Sequence, residues 1–181
     1  MRVITGTARG RKLVTIKGND VRPTTDRVKE AMFSIIQFDL IGAKVLDLFA
    51  GSGQLGIEAL SRGASLCTFV DNLREAHQTE IENLKLTGLN KASRVVLSDS
   101  LSFIKNTTDR YDIIIMDPPY RTNLLLDALK LTSNKLSDNG IVICEHELAL
   151  DMPENLDDIT LQKQYKYGKI KLTTYRKVKE G

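Results

Sequence analysis

The chain has 181 residues, 41% hydrophobic and 27% charged, a composition typical of a globular protein with one well-buried core. No apolar stretch approaches the roughly 20 residues that a membrane span needs, and the opening Met1-Arg2-Val3-Ile4 has no signal-peptide pattern, so we expect a cytoplasmic protein without a membrane partner. The net charge is +3, but residues 1–40 carry 8 basic and 4 acidic groups, residues 163–181 carry 7 and 1, and residues 41–162 carry 11 and 18. Two basic ends favour a polyanionic partner, with ordinary solvated surface charge as the alternative.

The first 40 residues predict a basic extension made of a β-hairpin and a helix, ahead of a single domain over residues 41–181. Two short β-like runs, 2–5 and 12–16, are bridged by a glycine-bearing loop. A helix start at residues 23–26 is followed by apolar residues at helical spacing from Val28 to Ile36. That stripe should pack on the domain and leave Arg27, Lys29 and Glu30 outside.

From residue 44 onward, apolar strand-like runs alternate with amphipathic helical segments. This alternation predicts an α/β fold with a mostly parallel, doubly wound sheet covered on both faces and an antiparallel hairpin at the end, seven strands in all. The predicted strands are 44–49, 66–70, 94–97, 112–116, 140–145, 159–165 and 169–178, and the helices are 55–62, 73–87, 100–105 and 121–135.

The two cysteines lie inside apolar runs, where a thiol usually behaves as a small buried hydrophobe. Cys67 and Cys144, together with His77 and His146, show no metal-ligand spacing. We therefore predict no metal.

A glycine-rich segment follows the first strand of the alternation. Residues 51–56 read Gly-Ser-Gly-Gln-Leu-Gly, which satisfies the dinucleotide fingerprint, and Asp71 ends the next strand where a ribose-binding acid is expected. An NAD-dependent dehydrogenase is therefore one candidate function. Asp47, however, would repel a diphosphate, whereas S-adenosylmethionine has an ammonium, a sulfonium and a ribose but no phosphate. The predicted cofactor-binding residues are Asp47, Ala50, Gly51, Ser52, Gly53, Asp71, Asn72, Asp99 and Ser100.

Asp99 follows the third strand and has two possible roles. It is a candidate acceptor for the adenine amino group, and it is also a candidate N-cap for the helix beginning near Ser100. Ser100 or Ser102 is an alternative cap. These carboxylates fall at the carboxyl ends of strands, where open α/β sheets bind ligands.

Residues 117–120 read Asp-Pro-Pro-Tyr directly after the apolar run 113–116. Neither proline has an N–H, so the strand ladder stops and backbone carbonyls stay available as acceptors. A planar amine held by these acceptors and stacked on Tyr120 fits the segment, with an ordinary turn as the alternative. Asp117 and the Pro118 carbonyl are the candidate acceptors, and Pro119 shapes the turn. If the bound amine is modified, Asp117 or water would accept the proton that its nitrogen loses.

These segments together resemble a known family. The basic run 2–13, residues 22–30, the stretch 47–64, the Asp-Pro-Pro-Tyr turn and the ending 167–175 are similar to the RsmD-like guanine-N2 methyltransferases of bacterial small-subunit (16S) ribosomal RNA, which are Rossmann-like class I S-adenosylmethionine-dependent enzymes. Two positions depart from the expected pattern: Gln54 stands where a small residue is usual, and Asp71 where glutamate is common.

The resemblance implies methyl transfer from S-adenosylmethionine to a guanine N2 amine, leaving S-adenosylhomocysteine. The choice of guanine rests on resemblance alone, and so does the implied partner, an assembling 30S subunit. A methyltransferase for another amine in RNA or DNA, an NAD-dependent oxidoreductase and a non-catalytic RNA-binding module are the alternatives. We expect a monomer. The predicted RNA-binding residues are Arg2, Arg9, Arg11, Lys12, Arg22, Thr25 and Arg27, although Thr25 could contact the cofactor instead.

Overall fold

The computed structural model describes residues 1–16, 25–120 and 122–177, and these contain five α-helices and eight strands. The helices are α1 (Asp26–Ile35), α2 (Gln54–Ser61), α3 (Arg74–Thr87), α4 (Ser100–Asn106) and α5 (Leu124–Lys130). The strands are β1 (Lys44–Asp47), β2 (Leu66–Asp71), β3 (Ser93–Leu97), β4 (Tyr111–Met116), β5 (Leu136–Glu147), β6 (Asn155–Leu156), β7 (Ile159–Tyr167) and β8 (Ile170–Lys177).

The strands form one sheet in the order β3-β2-β1-β4-β5-β8-β7-β6. Strands β1 to β5 are parallel, and β8, β7 and β6 continue the sheet antiparallel. The doubly wound sheet with its antiparallel hairpin is therefore confirmed. The prediction of seven strands missed β6, which has only two residues. The chain reverses its winding direction between β1 and β4, and ligands bind at such a switch point in open α/β sheets.

Alternate residues of the central strands enter two hydrophobic clusters, one on each face of the sheet. Ile113 and Ile115 of β4 belong to the cluster that contains α1 and α2 residues, and Ile114 and Met116 belong to the opposite one. Burial on both faces explains why β4 reads as a continuous apolar run. Cys67 and Cys144 are both fully buried, as predicted.

Helix boundaries follow capping and composition. The Thr25 hydroxyl oxygen accepts from the Val28 N–H at 3.4 Å and starts α1, while Gly88 with φ 73° ends α3. The helix predicted over 121–135 is shorter: α5 ends at Lys130, and Ser133–Lys135 form a 3₁₀ turn. Threonine, serine and asparagine at 132–134 are weak helix formers, which accounts for the early end.

The N-terminal residues form a short antiparallel hairpin, with less pairing than the predicted runs 2–5 and 12–16. An antiparallel bridge joins Arg2 and Lys12, the Val3 N–H donates to the Arg11 carbonyl at 2.9 Å, and the Leu13 N–H donates to the Met1 carbonyl at 3.1 Å. The hairpin segment also docks on α2. Ser61 Oγ accepts from the Ala8 N–H at 2.9 Å and donates to the Thr5 carbonyl at 2.6 Å. The backbone of this segment is thus held by a helix 53 residues further along the chain.

A buried carboxylate, Glu58 of α2, is the centre of this docking. Its oxygens accept from the Ile4 N–H at 2.8 Å, the Thr5 N–H at 2.9 Å and Arg62 Nε at 2.8 Å. The Lys29 ammonium lies 3.8 Å away and donates to the Arg2 carbonyl at 2.7 Å. The prediction that Lys29 faces outward is therefore wrong, because both side chains are 0% exposed.

Described residues among the first 40 contribute to the hydrophobic core beside the sheet. Val3, Leu13 and Phe33 belong to the same hydrophobic cluster as Val45 and Ile113. The division at residue 40 stays a prediction. In the described part of the chain, every helix is too short or too polar to cross a bilayer.

Candidate functional site

A cavity of about 760 Å³ opens at the carboxyl ends of β1, β2 and β4, at the switch point of the sheet. Its volume lies within the range of small-molecule sites. Eleven predicted site residues line it: Ala50, Gly51, Ser52, Asp71, Asn72, Asp99, Ser100, Asp117, Pro118, Pro119 and Tyr120. The turn predicted to hold an amine and the loop predicted to hold a cofactor therefore face one space.

The glycine loop between β1 and α2 uses its N–H groups within the protein. Gly51 N donates to Asp71 Oδ2 at 2.9 Å, Gly53 N to the Ala50 carbonyl at 2.7 Å, and Gly56 N to Asp47 Oδ2 at 2.8 Å. A loop that binds a pyrophosphate aims such N–H groups at the ligand. The geometry here is therefore unfavourable for a dinucleotide despite the matching fingerprint.

Glycine is required in this loop at Gly51 and Gly53, which have φ of 55° and 77°. Gly53 precedes α2 and is buried beneath the loop, outside the cavity wall. A Cβ at Gly56 would lie 2.3 Å from the Phe69 ring, so this glycine allows α2 to pack closely on β2.

Asp47 is not a cavity-lining residue, contrary to the prediction of direct cofactor contact. Its side chain is 1% exposed and holds the first turn of α2 through Gly56. Burial raises the pKa of Asp47 to about 7, the Gly56 N–H opposes this shift, and the charge of Asp71 adds to it. Within the described residues, Asp47 Oδ1 has no hydrogen-bond partner.

A second buried carboxyl group, Glu80 of α3, lies close to this loop. Its Cγ would be 3.4 Å from a Cβ at Gly53, and the side chain is 0% exposed. Burial raises the pKa of Glu80 to about 9, with further contributions from Asp47 and Asp71. Burial therefore favours the neutral form of Glu80.

Asp71 and Asp99 expose carboxylates to the cavity while holding backbone. Asp71 Oδ1 accepts from the Leu73 N–H at 2.9 Å, and its Oδ2 accepts from Gly51. Asp99 Oδ1 accepts from the Ser102 N–H at 2.8 Å and caps α4, so the capping alternative is the one observed. Ser100 is buried and donates to the Leu48 carbonyl at 2.7 Å.

The Asp-Pro-Pro-Tyr turn leaves β4 at the cavity mouth. Pro118 is buried, Pro119 is exposed, and the Pro119 carbonyl accepts from the Thr122 hydroxyl at 2.9 Å. The Tyr120 hydroxyl donates to Glu145 Oε1 of β5 at 2.8 Å. A buried carboxylate thus fixes the edge of the aromatic ring that was predicted to stack on a base.

The predicted RNA-binding residues that the structure describes lie on the N-terminal segment and at the start of α1. Arg2, Arg9, Arg11, Lys12 and Arg27 are exposed, and Arg2 lies 3.5 Å from Asp26. Thr25 caps α1, which leaves less scope for ligand contact. Arg22 lies outside the described residues.

Several residues of the site carry no signal in the sequence. Met1, Thr15 and Ile16 reach the cavity wall from the N-terminal segment, and Phe49, Gln54, Leu55, Leu73 and Leu124 add to its lining. Asn83 of α3 links the N-terminal segment to the glycine loop. It accepts from the Val14 N–H at 2.7 Å and donates to the Val14 and Ser52 carbonyls at 3.0 and 2.9 Å.

Comparison with known proteins identifies close relatives over the full chain. The family described as "Conserved hypothetical protein 95" matches residues 1–176. The "Putative rRNA methyltransferase YlbH" of Bacillus subtilis is 39% identical and covers 98% of this chain and 99% of its own. The "Ribosomal RNA small subunit methyltransferase D" of Escherichia coli K12 is 34% identical over 100% of this chain and 92% of its own.

A solved structure has a similar overall fold. The "Putative methyltransferase yhhF" from Escherichia coli is similar with a TM-score of 0.84 and 35% identity, over 98% of this chain and 97% of that one.

Proposed function

The chain belongs to the family described as conserved hypothetical protein 95, the RsmD family, and we propose that it transfers a methyl group from S-adenosylmethionine to the exocyclic N2 amine of a guanine in small-subunit ribosomal RNA. The observation that carries this proposal is the shared cavity, in which the glycine loop and the Asp-Pro-Pro-Tyr turn face each other.

The cavity fits a cation better than a pyrophosphate. Carboxylates of Asp71, Asp99 and Asp117 line it, and the loop N–H groups at Gly51, Gly53 and Gly56 are already bonded within the protein. Apolar side chains such as Phe49 and Leu73 line the same cavity. A ligand with a sulfonium, an ammonium, a ribose and an aromatic base matches this mixture of carboxylate and apolar surface.

Within the site, Asp71 would accept from the ribose hydroxyls and the Asp99 carboxylate from the adenine amine. Both roles are compatible with the observed backbone contacts, since each carboxylate oxygen has two lone pairs. Asp47 acts indirectly in this proposal. It holds Gly56 and thereby the start of α2.

The bound cofactor supplies an electrophilic methyl on a positively charged sulfur, which leaves as a neutral thioether when the amine nitrogen bonds to carbon. Asp117 and the Pro118 carbonyl would accept from the amine hydrogens and favour a pyramidal nitrogen with developing positive charge. Tyr120, oriented by Glu145, would stack on the base. Asp117 or water then receives the proton that nitrogen loses.

The ribosomal target is supported by the names of the relatives and by the basic outer surface of the N-terminal segment. Arg9 and Arg11 are exposed there. A base within a folded RNA must be splayed into the cavity, and single-stranded regions cost least to open. The proposed substrate is an RNA loop in the assembling 30S subunit.

The test uses small-subunit ribosomal RNA or 30S particles from a strain that lacks this gene, with labelled cofactor. We expect label transfer by the wild type and analysis of nucleosides to identify N2-methylguanosine. Asp117→Ala should lose transfer by at least about 100-fold, the typical value for positioned proton-transfer or charge-stabilising groups, while cofactor binding survives.

Asp138→Ala is the matched control, because Asp138 is 90% exposed and begins β5 at the opposite edge of the sheet. Normal transfer by Asp117→Ala would refute the role of the turn. Label in adenosine would replace guanine as the target. Tight NAD binding in calorimetry without S-adenosylmethionine binding would refute the methyltransferase proposal, and RNA binding without transfer would favour the non-catalytic alternative.

A further inference from the structure

The β7–β8 hairpin places a lysine-rich turn beside the carboxyl ends of the parallel strands, where the cavity also opens. Because β8 is antiparallel to β5, it starts where β5 ends, and the pair Glu147–Ile170 fixes this register. The turn at Gly168 and Lys169 therefore lies at the carboxyl edge. We call residues 163–171 the hairpin tip.

The hairpin tip carries four lysines and no acidic residue: Lys163, Lys166, Lys169 and Lys171. Lys163, Lys166 and Lys169 are exposed, and Lys171 is half-buried. Within the described part of the chain, none of them is paired with a carboxylate at ion-pair distance. The tip thus carries positive charge on both faces of the hairpin, with Lys163 on the face of Tyr165 and with Lys166 and Lys171 on the opposite face.

One pair of lysines is placed at a cost to folding. Lys166 of β7 lies directly opposite Lys171 of β8, and like charges in this position destabilise a sheet. The next strand places His146 opposite Lys171, and burial together with Lys171 lowers the pKa of His146. Among the residues that the structure describes, no carboxylate lies within ion-pair distance of either ammonium group, so an anionic partner is the simplest compensation.

Protection of a sheet edge is the ordinary use of lysine and explains only part of this pattern. β7 is the outermost strand beyond Thr160, because β6 pairs only with Ile159 and Thr160. Edge protection therefore accounts for Lys163 and Lys166. Lys171 is on β8, which lies between β5 and β7, and Lys169 is in the turn.

The register also connects the tip to the catalytic turn. Glu145, which accepts from Tyr120, pairs with Leu172 of β8, and Leu172 pairs with Tyr165 of β7. At about 4.8 Å per strand, Tyr165 lies roughly 10 Å from Glu145 along this row. The Lys163 ammonium lies 5.0 Å from the centre of the Tyr165 ring, which orients the cation on this face.

We propose that the hairpin tip is a second RNA-contact surface that binds the phosphate backbone flanking the target nucleotide, on the opposite side of the Asp-Pro-Pro-Tyr turn from the N-terminal segment. This inference rests on the proposed function, since it names the part of the RNA substrate that the tip would hold. RNA would then be gripped on both sides of the base that enters the cavity.

The experiment compares the wild type with a triple variant, Lys166→Gln, Lys169→Gln and Lys171→Gln. Binding of small-subunit ribosomal RNA from the gene-deletion strain is measured between about 50 and 200 mM salt, a range in which phosphate contacts dominate. Three lost phosphate contacts should reduce the slope of log binding constant against log salt concentration by about 2 in magnitude, which is equivalent to about a 100-fold loss of RNA affinity at 0.1 M salt.

In methyl transfer, the KM for RNA should rise by a similar factor, while kcat at saturating RNA and the affinity for the cofactor stay unchanged. The triple variant should melt at the same or a higher temperature than the wild type, because the repulsion between Lys166 and Lys171 is gone. A structural role for the lysines predicts the reverse change in melting temperature.

The control removes three lysines near the opposite edge of the sheet: Lys44→Gln, Lys85→Gln and Lys91→Gln. Lys44 starts β1, and Lys85 and Lys91 precede β3; all three are exposed. Equal salt slopes for both triple variants would overturn the inference even if the wild type methylates RNA. Absence of both binding and transfer in the wild type would instead refute the proposed function.

Discussion

Replacing Glu58 by alanine should release the N-terminal segment from the rest of the protein. The Glu58 carboxylate accepts two backbone N–H groups and the Arg62 side chain, and it lies 3.8 Å from the buried Lys29 ammonium. Removing one partner of a buried ion pair costs about 3–5 kcal/mol, because the other charge stays buried without compensation. Each orphaned buried N–H would cost about 1–3 kcal/mol more.

These costs have an upper limit set by local detachment. When residues 1–16 leave α2, the Ile4 and Thr5 amides and the Lys29 ammonium regain water, so the loss cannot exceed the docking free energy of the segment. Burial lowers the pKa of Lys29, whereas the Glu58 charge raises it. Loss of Glu58 therefore favours deprotonation or exposure of Lys29. We expect at least about 3 kcal/mol of lost stability or a separate early unfolding step.

Urea unfolding of Glu58→Ala measures this loss, and calorimetry measures cofactor affinity in parallel. Met1, Thr15 and Ile16 line the cavity, so detachment should weaken cofactor binding as well. Glu82→Ala is the control, since Glu82 is exposed on α3 and should change stability by no more than about 0.5 kcal/mol.

A double variant separates the buried charge from the hydrogen bonds. Lys29→Met with Glu58→Leu removes both charges and should be more stable than Glu58→Ala, while the Ile4 and Thr5 amides still lack their acceptor. A loss below about 1 kcal/mol for Glu58→Ala, with cofactor affinity unchanged, would refute the docking role.

Three further changes have distinct readouts. Glu80→Gln should flatten the pH dependence of the free energy of unfolding. The folded pKa of Glu80, about 9, exceeds the ordinary value of 4.5, so the wild type should lose stability as pH rises from about 4.5 toward 9, and the glutamine variant should lose less. Urea titrations at several pH values measure this difference. Glu145→Gln should lower the rate of methyl transfer more than the affinity for the cofactor, because it weakens the hydrogen bond that orients Tyr120. Tyr120→Phe removes the same hydrogen bond and should lower the rate by a similar factor. Clearly different transfer rates for the two variants would argue against this role of Glu145. Gly6→Ala should prevent the N-terminal segment from docking on α2, because the new Cβ would lie 1.7 Å from the Ser61 carbonyl oxygen, at a residue with φ 87°. Gly10→Ala is the control: Gly10 has a similar φ of 83° but open space around it, so this variant should show only the backbone strain. Equal melting temperatures for the two variants would contradict the prediction.

The sequence predicts the sheet and the strand-end carboxylates because these depend on local patterns. An apolar run followed by two prolines predicts both the end of β4 and the position of Asp117 just beyond it. Lys29 illustrates the limit. Its spacing from Met32, Phe33 and Ile36 places it on the buried stripe of α1, but its charge argued for an outward position. The partner that allows burial, Glu58, is 29 residues away and leaves no local signal.

Bonds between distant residues account for other features of the site that the sequence does not reveal. Asp47 and Asp71 were predicted as ligand contacts because they end strands, but the structure shows that both also satisfy N–H groups of the glycine loop. The Glu145 partner of Tyr120 and the position of Asn83 between two segments likewise depend on tertiary packing. Local propensity cannot distinguish a carboxylate that binds a ligand from one that holds the backbone.

The docking of the N-terminal segment on α2 also determines the order in which this protein can assemble during synthesis. Residues 4–8 leave the ribosome more than 50 residues before their partners Glu58 and Ser61. Contacts of such high sequence separation form slowly, and an unpaired early segment is exposed in the meantime. Arg9 and Arg11 are exposed on this segment, and charged side chains of this kind oppose aggregation of a segment whose partners are still to be synthesised, so the proposed RNA-contact charges would also serve during folding.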